Sequence, residues 1–580
     1  MLVLLLTFLG FIVFEGLVKR YAPPSPTPQK ESTKAPAQPA PVQPTAVPAV
    51  SAPSIPALAP PAKVLQKQAS SETESVIEND LYRITFSNRG AQVKSWVLKK
   101  FKNDAQNGLL DLVNVAAAEK YGYPLSLWTY DQALNDRLKS ALYVASFEGH
   151  ANAPATITFE YADQDLEVRK SFRFDNTYVL DADVSVVYKG SRIFAAPAWP
   201  SGFGDQVTPA SYAAARLDYH SDVSTDKTAL IFPNYVLRVP AKNISGGNTI
   251  KGPSNTFEWS GPGDQYFAAL FIPSDPSTAA MITLRNPLQV PQKPGAKETS
   301  NVDVLGVAVG DLQGATRERI FVGPKEMSSL EAAKVPTIHN GDADLRGTVD
   351  YGWWGVLARP LFIWLKWTYK YIPNWGWAIV IQTLIITVAL LPFRIAQMKS
   401  MLKMQRVQPQ IKSIQEKYKK YSLRDPRKAA MNEEVAALYK KEGVNPAGGC
   451  LPLLVTFPFI IAYYRMLGVA LDLRQAHWLW IKDLSARDPY FILPILMVIS
   501  MFVMQRMTPQ TGMDPAQQRM MNWMMPLFMG FIFFNLQAGL NLYYAESNLI
   551  SIAQQAIMNR TKLGREMREM MEKRARKKEK

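Results

Sequence analysis

The sequence predicts a membrane protein in two parts: an all-α core of five helices with an N-terminal anchor helix, and an antiparallel β-sandwich domain between them. Three observations predict it. Five apolar runs lie between Trp375 and Met558, separated by short polar loops yet dotted with Gln, Thr, Asn and one Glu. From about Ser75 to Arg346 the chain instead alternates polar and apolar residues in short runs. Ahead of that region stand an apolar N-terminal stretch and a proline-rich one. A helix crossing a bilayer needs about 20 residues, mostly apolar, with its backbone bonded internally, and polar side chains kept in it usually face a bundle interior or a wet cavity.

The totals bound the rest. A chain of 580 residues is too long for one core, so two or three units are expected. The net charge of +16 predicts a polyanionic neighbour, without separating nucleic acid from lipid headgroups. Its basic residues crowd into 398–441 and 558–580. The single cysteine, Cys450, excludes an internal disulfide framework and a Cys-based zinc cluster, and is read as buried packing. No nucleotide-binding loop is recognisable, and His150, His220 and His339 show no metal or triad spacing. No cofactor, metal site or catalytic residue is expected, and no DNA partner.

In chain order, residues 2–18 are apolar except Thr7 and Glu15 and lack a cleavage site, which predicts an uncleaved anchor (residues 1–20). Residues 22–62 hold 13 prolines among Ala, Ser, Thr and Gln and cannot bury a core, so residues 21–74 are an extended tether. In the β region (75–346), the runs 82–86, 166–174 and 179–186 alternate with period two, and Asn88-Arg89-Gly90 and Gly246-Gly247-Asn248 mark turns. Many strands without intervening helical patterns indicate an antiparallel sandwich, closed by one helix over 324–335. Residues 352–371 carry Trp353, Trp354, Trp364 and Trp367 with Arg359, Lys366 and Lys370, the composition of a helix lying in the headgroup layer (347–374). Pro360 predicts a break or a helix start at its own position.

Spans are predicted near 376–397, 449–466, 490–507, 520–536 and 539–558, the first and last bounding a core of 375–558. The loop between the first two has twelve Lys or Arg against five Asp or Glu, which marks it cytoplasmic. Within it, 405–443 reads as an antiparallel hairpin of two amphipathic helices, with lipid or RNA phosphates as fitting neighbours. The basic tail, 559–580, is cytoplasmic again. One more crossing, supplied by residues 2–18, exports the β domain and leaves both termini in the cytoplasm.

Several stretches resemble the YidC family of membrane protein insertases of Gram-negative bacteria. They are Val349-Asp350-Tyr351-Gly352, residues 445–454, residues 483–494, and Leu540-Asn541-Leu542-Tyr543-Tyr544-Ala545-Glu546-Ser547-Asn548-Leu549. The resemblance implies a periplasmic β-supersandwich, an inner-membrane location and a groove open to the cytoplasm and the lipid. It implies an insertase and chaperone, not an enzyme, serving nascent membrane proteins from ribosomes, alone or with the Sec translocon, among anionic lipids. It places Thr383 and Tyr544 in the groove, with Gln382, Thr387, Asn541 and Tyr543 nearby, and Phe457, Ile460, Phe528 and Ile532 on an apolar slide. Where family members commonly carry a groove arginine this chain has Thr387, and Arg394, seven residues on and on a similar helical face, is expected to substitute in part. Glu546 and Arg465, charges within spans, are expected to pair, or Glu546 to be protonated. Two other classes remain open on the residues alone: a polytopic transporter or channel, and a membrane-tethered sugar-binding or sugar-active protein.

Overall fold

The computed structural model describes residues 66–204, 206–220, 236–239, 244, 246–251, 257–293, 295–333, 336–337, 341–342, 344–421, 425–443, 451–507, 515–562, 564–566 and 569. The predicted anchor, residues 21–65 of the predicted tether, His339, Cys450 and most of the basic tail lie outside them; residues 66–74, also expected in the tether, instead bond to the β unit, Lys67 N donating to Ala162 O at 2.8 Å and Ala69 N to Leu142 O at 3.0 Å. The chain divides into two compact units. The first takes residues 1–262, 270–321 and 335–341; the second takes 263–269, 322–334 and 342–580.

The β unit is built on sheets whose alternation is visible in burial. Leu166–Phe174 buries every second side chain, as does Val179–Tyr188 over most of its length, and the two pair in antiparallel register. They lie in a ten-stranded sheet ordered Leu237–Val239, Arg216–His220, Trp259–Gly263, Phe267–Pro273, Ala315–Pro324, Val179–Tyr188, Leu166–Phe174, Ala155–Ala162, Val144–Ala145, with Ser191–Arg192 alongside. A five-stranded sheet joins Asn248–Lys251, Ala279–Pro291, Thr299–Asp311, Ala196–Trp199 and Ser126–Trp128. Another joins Leu109–Asp111, Gln92–Lys102, Tyr82–Ser87, Glu74–Glu78 and Gly149–Asn152. Its last pair is parallel, a departure from the all-antiparallel expectation. Phe86 anchors one core, with its ring 5.6 Å from Phe159 and Phe172 and 6.0 Å from Phe174.

Helices α1 (Val115–Tyr121), α2 (Gln132–Ser140) and α3 (Pro209–Ala213) interrupt the strands, which the period-two reading missed. The first two are too short for a 3.6-residue pattern to stand out, but each starts at an Asx N-cap, Asn114 and Asp131, whose side chain accepts from the first turn. The helix expected over 324–335 is only α4 (Met327–Ala332).

Among the described residues Lys170 is the one lysine of the β core that is fully enclosed, and its Nζ donates to the carbonyls of Gly90 (3.1 Å), Ala91 and Leu125 (2.7 Å). Gly90, Ala91 and Leu125 all have positive φ, so two loops bend in left-handed conformation to turn their carbonyls inward. Burial pulls the Lys170 pKa down to about 7; three acceptors for three ammonium donors oppose that pull.

The second unit is helical: α5 (Gly355–Tyr371), α6 (Trp375–Ala389), α7 (Leu391–Lys417), α8 (Arg427–Lys441), α9 (Leu451–Val469), α10 (Ile492–Met507), α11 (Pro515–Phe533) and α12 (Ala538–Arg560). α12 packs against α6, α9 and α10, α5 packs against α6 and α9, and α7 pairs with α8. Pro360 neither breaks nor starts α5; it sits exposed one turn inside, where its missing N–H leaves an early carbonyl to other donors. The span expected over 376–397 is two helices. Pro392 cannot donate to the Val388 carbonyl, which accepts from Leu390 N instead, and the axis bends by 44° there. The predicted hairpin helix is continuous with the second of these, reaching back to Leu391. Among the described residues no single helix is long and apolar enough to cross a membrane; α6 with the first part of α7 passes that test as a bent pair.

Candidate functional site

The site grows from one face of α6. Asn374 caps the helix by accepting from Trp377 N at 3.1 Å, and its amide donates to His477 O at 3.2 Å. Gly376 admits the Trp478 ring: a Cβ there would lie 2.1 Å from Cγ and Cδ1 of the indole. These contacts set the start of α6 beneath the loop 470–489. Ile379, Gln382, Thr383, Ile386 and Thr387 then follow at helical spacing, all buried.

Burying polar side chains is tolerable only if they are bonded, and here the helices bond them. The Gln382 amide donates to Leu361 O of α5 at 2.9 Å and its carbonyl accepts from the Tyr463 hydroxyl of α9. Thr383 Oγ1 donates to Ile379 O, and Thr387 Oγ1 to Thr383 O, both at 2.7 Å. Such back-bonding to the preceding turn hides a hydroxyl inside its own helix. From α12, Gln554 donates to Thr387 O at 3.2 Å, and Asn548 to Ser500 Oγ of α10 at 3.0 Å. Asn541 donates to Phe533 O (3.1 Å) and Leu536 O (3.3 Å), closing the α11–α12 turn. The Tyr543 ring stacks on Tyr463 at 4.1 Å, and half-buried Tyr544 meets Phe533 edge-on at 4.6 Å.

The structure therefore joins Gln382, Thr383 and Thr387 of α6 to Tyr543, by way of Tyr463, in one enclosed seam with Tyr544 at its margin, whereas the buried Asn541 bonds only within the α11–α12 turn. Arg394 is half-buried but lies beyond the bend at Leu390, so counting seven residues along a straight helix misplaces it relative to Thr387. Phe457 and Phe528 are exposed, and Ile460 and Ile532 half-buried. Arg465 and Glu546 form no ion pair: the arginine is exposed beside Gly352, while Glu546 Oε2 is buried without a hydrogen-bond partner.

Sequence reasoning missed Tyr463, Asn548 and Gln554. The last two were detectable by the reasoning that singled out Gln382, an amide inside an apolar run. It also missed the loop 470–489, which is folded. Asp488, itself buried, accepts from Leu493 N (2.7 Å) and Tyr490 N (3.1 Å) at the start of α10, and from Trp480 Nε1 (3.1 Å). Leu484 O and Ala486 O accept from Gly539 N and Ala538 N at the start of α12. Asp472 pairs with Lys366 at 3.2 Å; burial raises its carboxyl above the usual range and the lysine opposes this.

A β unit preceding helices with bonded polar groups inside and apolar side chains outside defines a two-part protein whose helical part suits an apolar surrounding. Residues 74–364 match the family described as "YidC periplasmic domain", and residues 367–565 the one described as "60Kd inner membrane protein". The chain is 32% identical over 501 residues to "Membrane protein insertase YidC" of Citrifermentans bemidjiense, covering 83% of this chain and 85% of that one. It is 30% identical over 571 residues to the protein of that name from Geobacter metallireducens, covering 96% and 98%. A crystal structure described as an active YidC insertase with its first transmembrane domain resolved is 19% identical, with TM-score 0.35, over 86% of this chain and 95% of that one. This chain belongs to the YidC family.

Proposed function

We propose that this chain is a membrane protein insertase and chaperone of the inner membrane, which moves nascent membrane proteins into the bilayer by way of the α6–α12 seam. The observation that carries the reading is the buried polar face of α6 joined to α9 and α12 inside an apolar exterior. Moving a charged side chain through the bilayer centre costs about 2.5–3.5 kcal/mol on insertion scales. A polar path across part of the thickness shortens the dry distance, and the exposed rings of Phe457 and Phe528 offer the passenger's apolar helix a way into lipid. Bond-making chemistry is not needed for this work; partitioning of the substrate, the membrane potential or coupled machinery drives it.

In this reading the five-helix core spans the membrane, residues 1–20 anchor the N-terminus, and the β domain is periplasmic. The loop 470–489 then seals the outer end and the α7–α8 hairpin is cytoplasmic. Helix α5 lies at the outer surface, exposing Val356, Ile363, Trp367 and Tyr371 at helical spacing. Arg394 attracts acidic substrate tails, and the Sec translocon, ribosomes and anionic lipids are the partners of the cytoplasmic and lateral faces.

The test is reconstitution of the full chain in liposomes with a short single-span substrate and no nucleotide. Insertion is the expected result, with Arg394→Ala lowering it for acidic-tailed substrates. Solute flux without insertion points to a transporter, and sugar turnover to an enzyme, either of which overturns the reading.

A further inference from the structure

We propose that residues 53–61 of the proline-rich tether dock in extended form across an aromatic platform on the β unit, formed by Trp128, Tyr130 and Phe194; the inference stands apart from the insertase reading. Trp128 ends the strand Ser126–Trp128, at the edge of its five-stranded sheet. Its ring lies 4.8 Å from Tyr130 and 6.4 Å from Phe194, edge-on to both, and those two are 5.4 Å apart. All three are held from beneath. Buried Asn135 of α2 grips the residue between the first two: its side-chain carbonyl accepts from Thr129 N at 2.7 Å and its amide donates to Thr129 O at 2.9 Å. Trp128 and Phe194 pack against a cluster of small side chains that includes Ala196, Ala280 and Ala308. Gly310 leaves room for the Phe194 edge, because a Cβ there would lie 3.1 Å from Cε2. Tyr130 is nevertheless 59% exposed. A rigid apolar surface left in water gains from an apolar partner that is equally rigid.

The tether supplies such a partner within reach. Residues 66–69 join the β unit beside Ala162 and Leu142, just past the C-terminal end of α2. Tyr130 stands at the other end of that helix, immediately before its N-cap, Asp131. The nine residues of α2 are about 14 Å long, a distance that residues 62–65 span at about 3.1–3.4 Å each. This brings Pro53-Ser54-Ile55-Pro56-Ala57-Leu58-Ala59-Pro60-Pro61 within reach of the rings. A polyproline II helix repeats every three residues, so Pro53 and Pro56 share one edge and Ile55 and Leu58 another. Proline-rich segments suit aromatic-lined surfaces because their pre-set backbone loses little entropy on docking. So short a connection also keeps the segment at high effective concentration, and weak affinity is enough. Docking leaves residues 21–52 as the spacer to the predicted anchor.

The experiment uses the full chain in liposomes, with photoreactive benzoylphenylalanine in place of Ser54 or, as a control, of Gln38. Illumination should join position 54 to residues 126–132 or 192–196 of the same chain, located by mass spectrometry, and position 38 should give little there. The yield at position 54 should fall about fivefold in Tyr130→Ser, the loss of one ring contact, and about as far in the double variant Ile55→Ser, Leu58→Ser. The double variant changes nothing in the β unit, so its result stands even where Tyr130→Ser disturbs the fold. An undiminished yield in it overturns the proposal, as do adducts scattered over the β unit. Mixing isotope-labelled with unlabelled chains separates the other occupants. Adducts only between chains assign the rings to a second copy, and adducts only with lipid assign them to the membrane surface. Either result overturns docking by the chain's own tether.

Discussion

The two units use the same residue types with opposite placement. On the β unit the described exposed large apolar side chains are few: Leu109, Val115, Tyr130, Val207 and Leu312. Charges occupy its surface instead, as in the ladder where Asp181 meets both Arg173 and Arg319 across neighbouring strands. The helical unit exposes apolar residues on most of its helices, among them Trp367, Ile499, Phe531 and Ile557, and keeps Gln382, Thr383 and Asn541 fully inside. The difference teaches that burial follows the surroundings each unit is made for. Water rewards an apolar interior; hydrocarbon rewards an interior that hides every polar group.

Lys170 is the clearest exception on the β side, so breaking it is the most severe test. Lys170→Ala leaves three inward carbonyls without a donor and opens a cavity, with an expected loss of about 3–5 kcal/mol in unfolding of the β unit. The same residue predicts a pH slope. Its folded pKa, near 7, lies below the ordinary lysine value, so the unfolded chain holds more protons above pH 7. Stability of the wild-type protein should therefore rise as pH increases from about 7 towards 10, by at most about 1.4 kcal/mol per unit, and Lys170→Met should flatten the slope.

A charge placed on each exterior sharpens the contrast. Ile499→Lys on α10 should cost about 2.5–3.5 kcal/mol if that face meets hydrocarbon, read as lost membrane integration or lowered thermal stability in liposomes. Leu312→Lys on the β unit should stay within about 0.5 kcal/mol. Equal effects at the two positions would erase the distinction between the exteriors.

Smaller effects probe the folded loop at the end of the seam. Gly376→Ala must push against the Trp478 ring, an overpacking cost of about 1–3 kcal/mol, visible as altered tryptophan fluorescence and earlier proteolysis of the loop. Asp488→Ala removes the acceptor for two backbone N–H groups at the start of α10, with an expected loss of about 1–2 kcal/mol by thermal unfolding in liposomes. Asp488→Asn, which keeps one acceptor oxygen, should lose less.

Much of the molecule was legible before any coordinates. The alternation of 166–174 coincides with the strand Leu166–Phe174, and the apolar run at 490–507 with α10 from Ile492 to Met507. The Gln and Thr residues of α6 stood out because polar groups in an apolar run require partners. The short helices α1 and α2 were hidden by their length, the bend at Leu390 because a proline inside an apolar run was read straight through, and the fold of 470–489 because its bonds join residues of no local pattern.

By itself the sequence determined what is local: strand period, helix faces, and which residues are too polar for their neighbourhood. Only the tertiary structure decided who answers them. Lys170 finds its acceptors 45 and 80 residues away, Gln382 finds Tyr463 across 81, and Arg465 and Glu546 do not meet. The reason is physical. Periodicity is a property of one element's backbone, whereas a hydrogen-bond partner for a buried group is chosen by the packing of elements that the chain brings together from far apart.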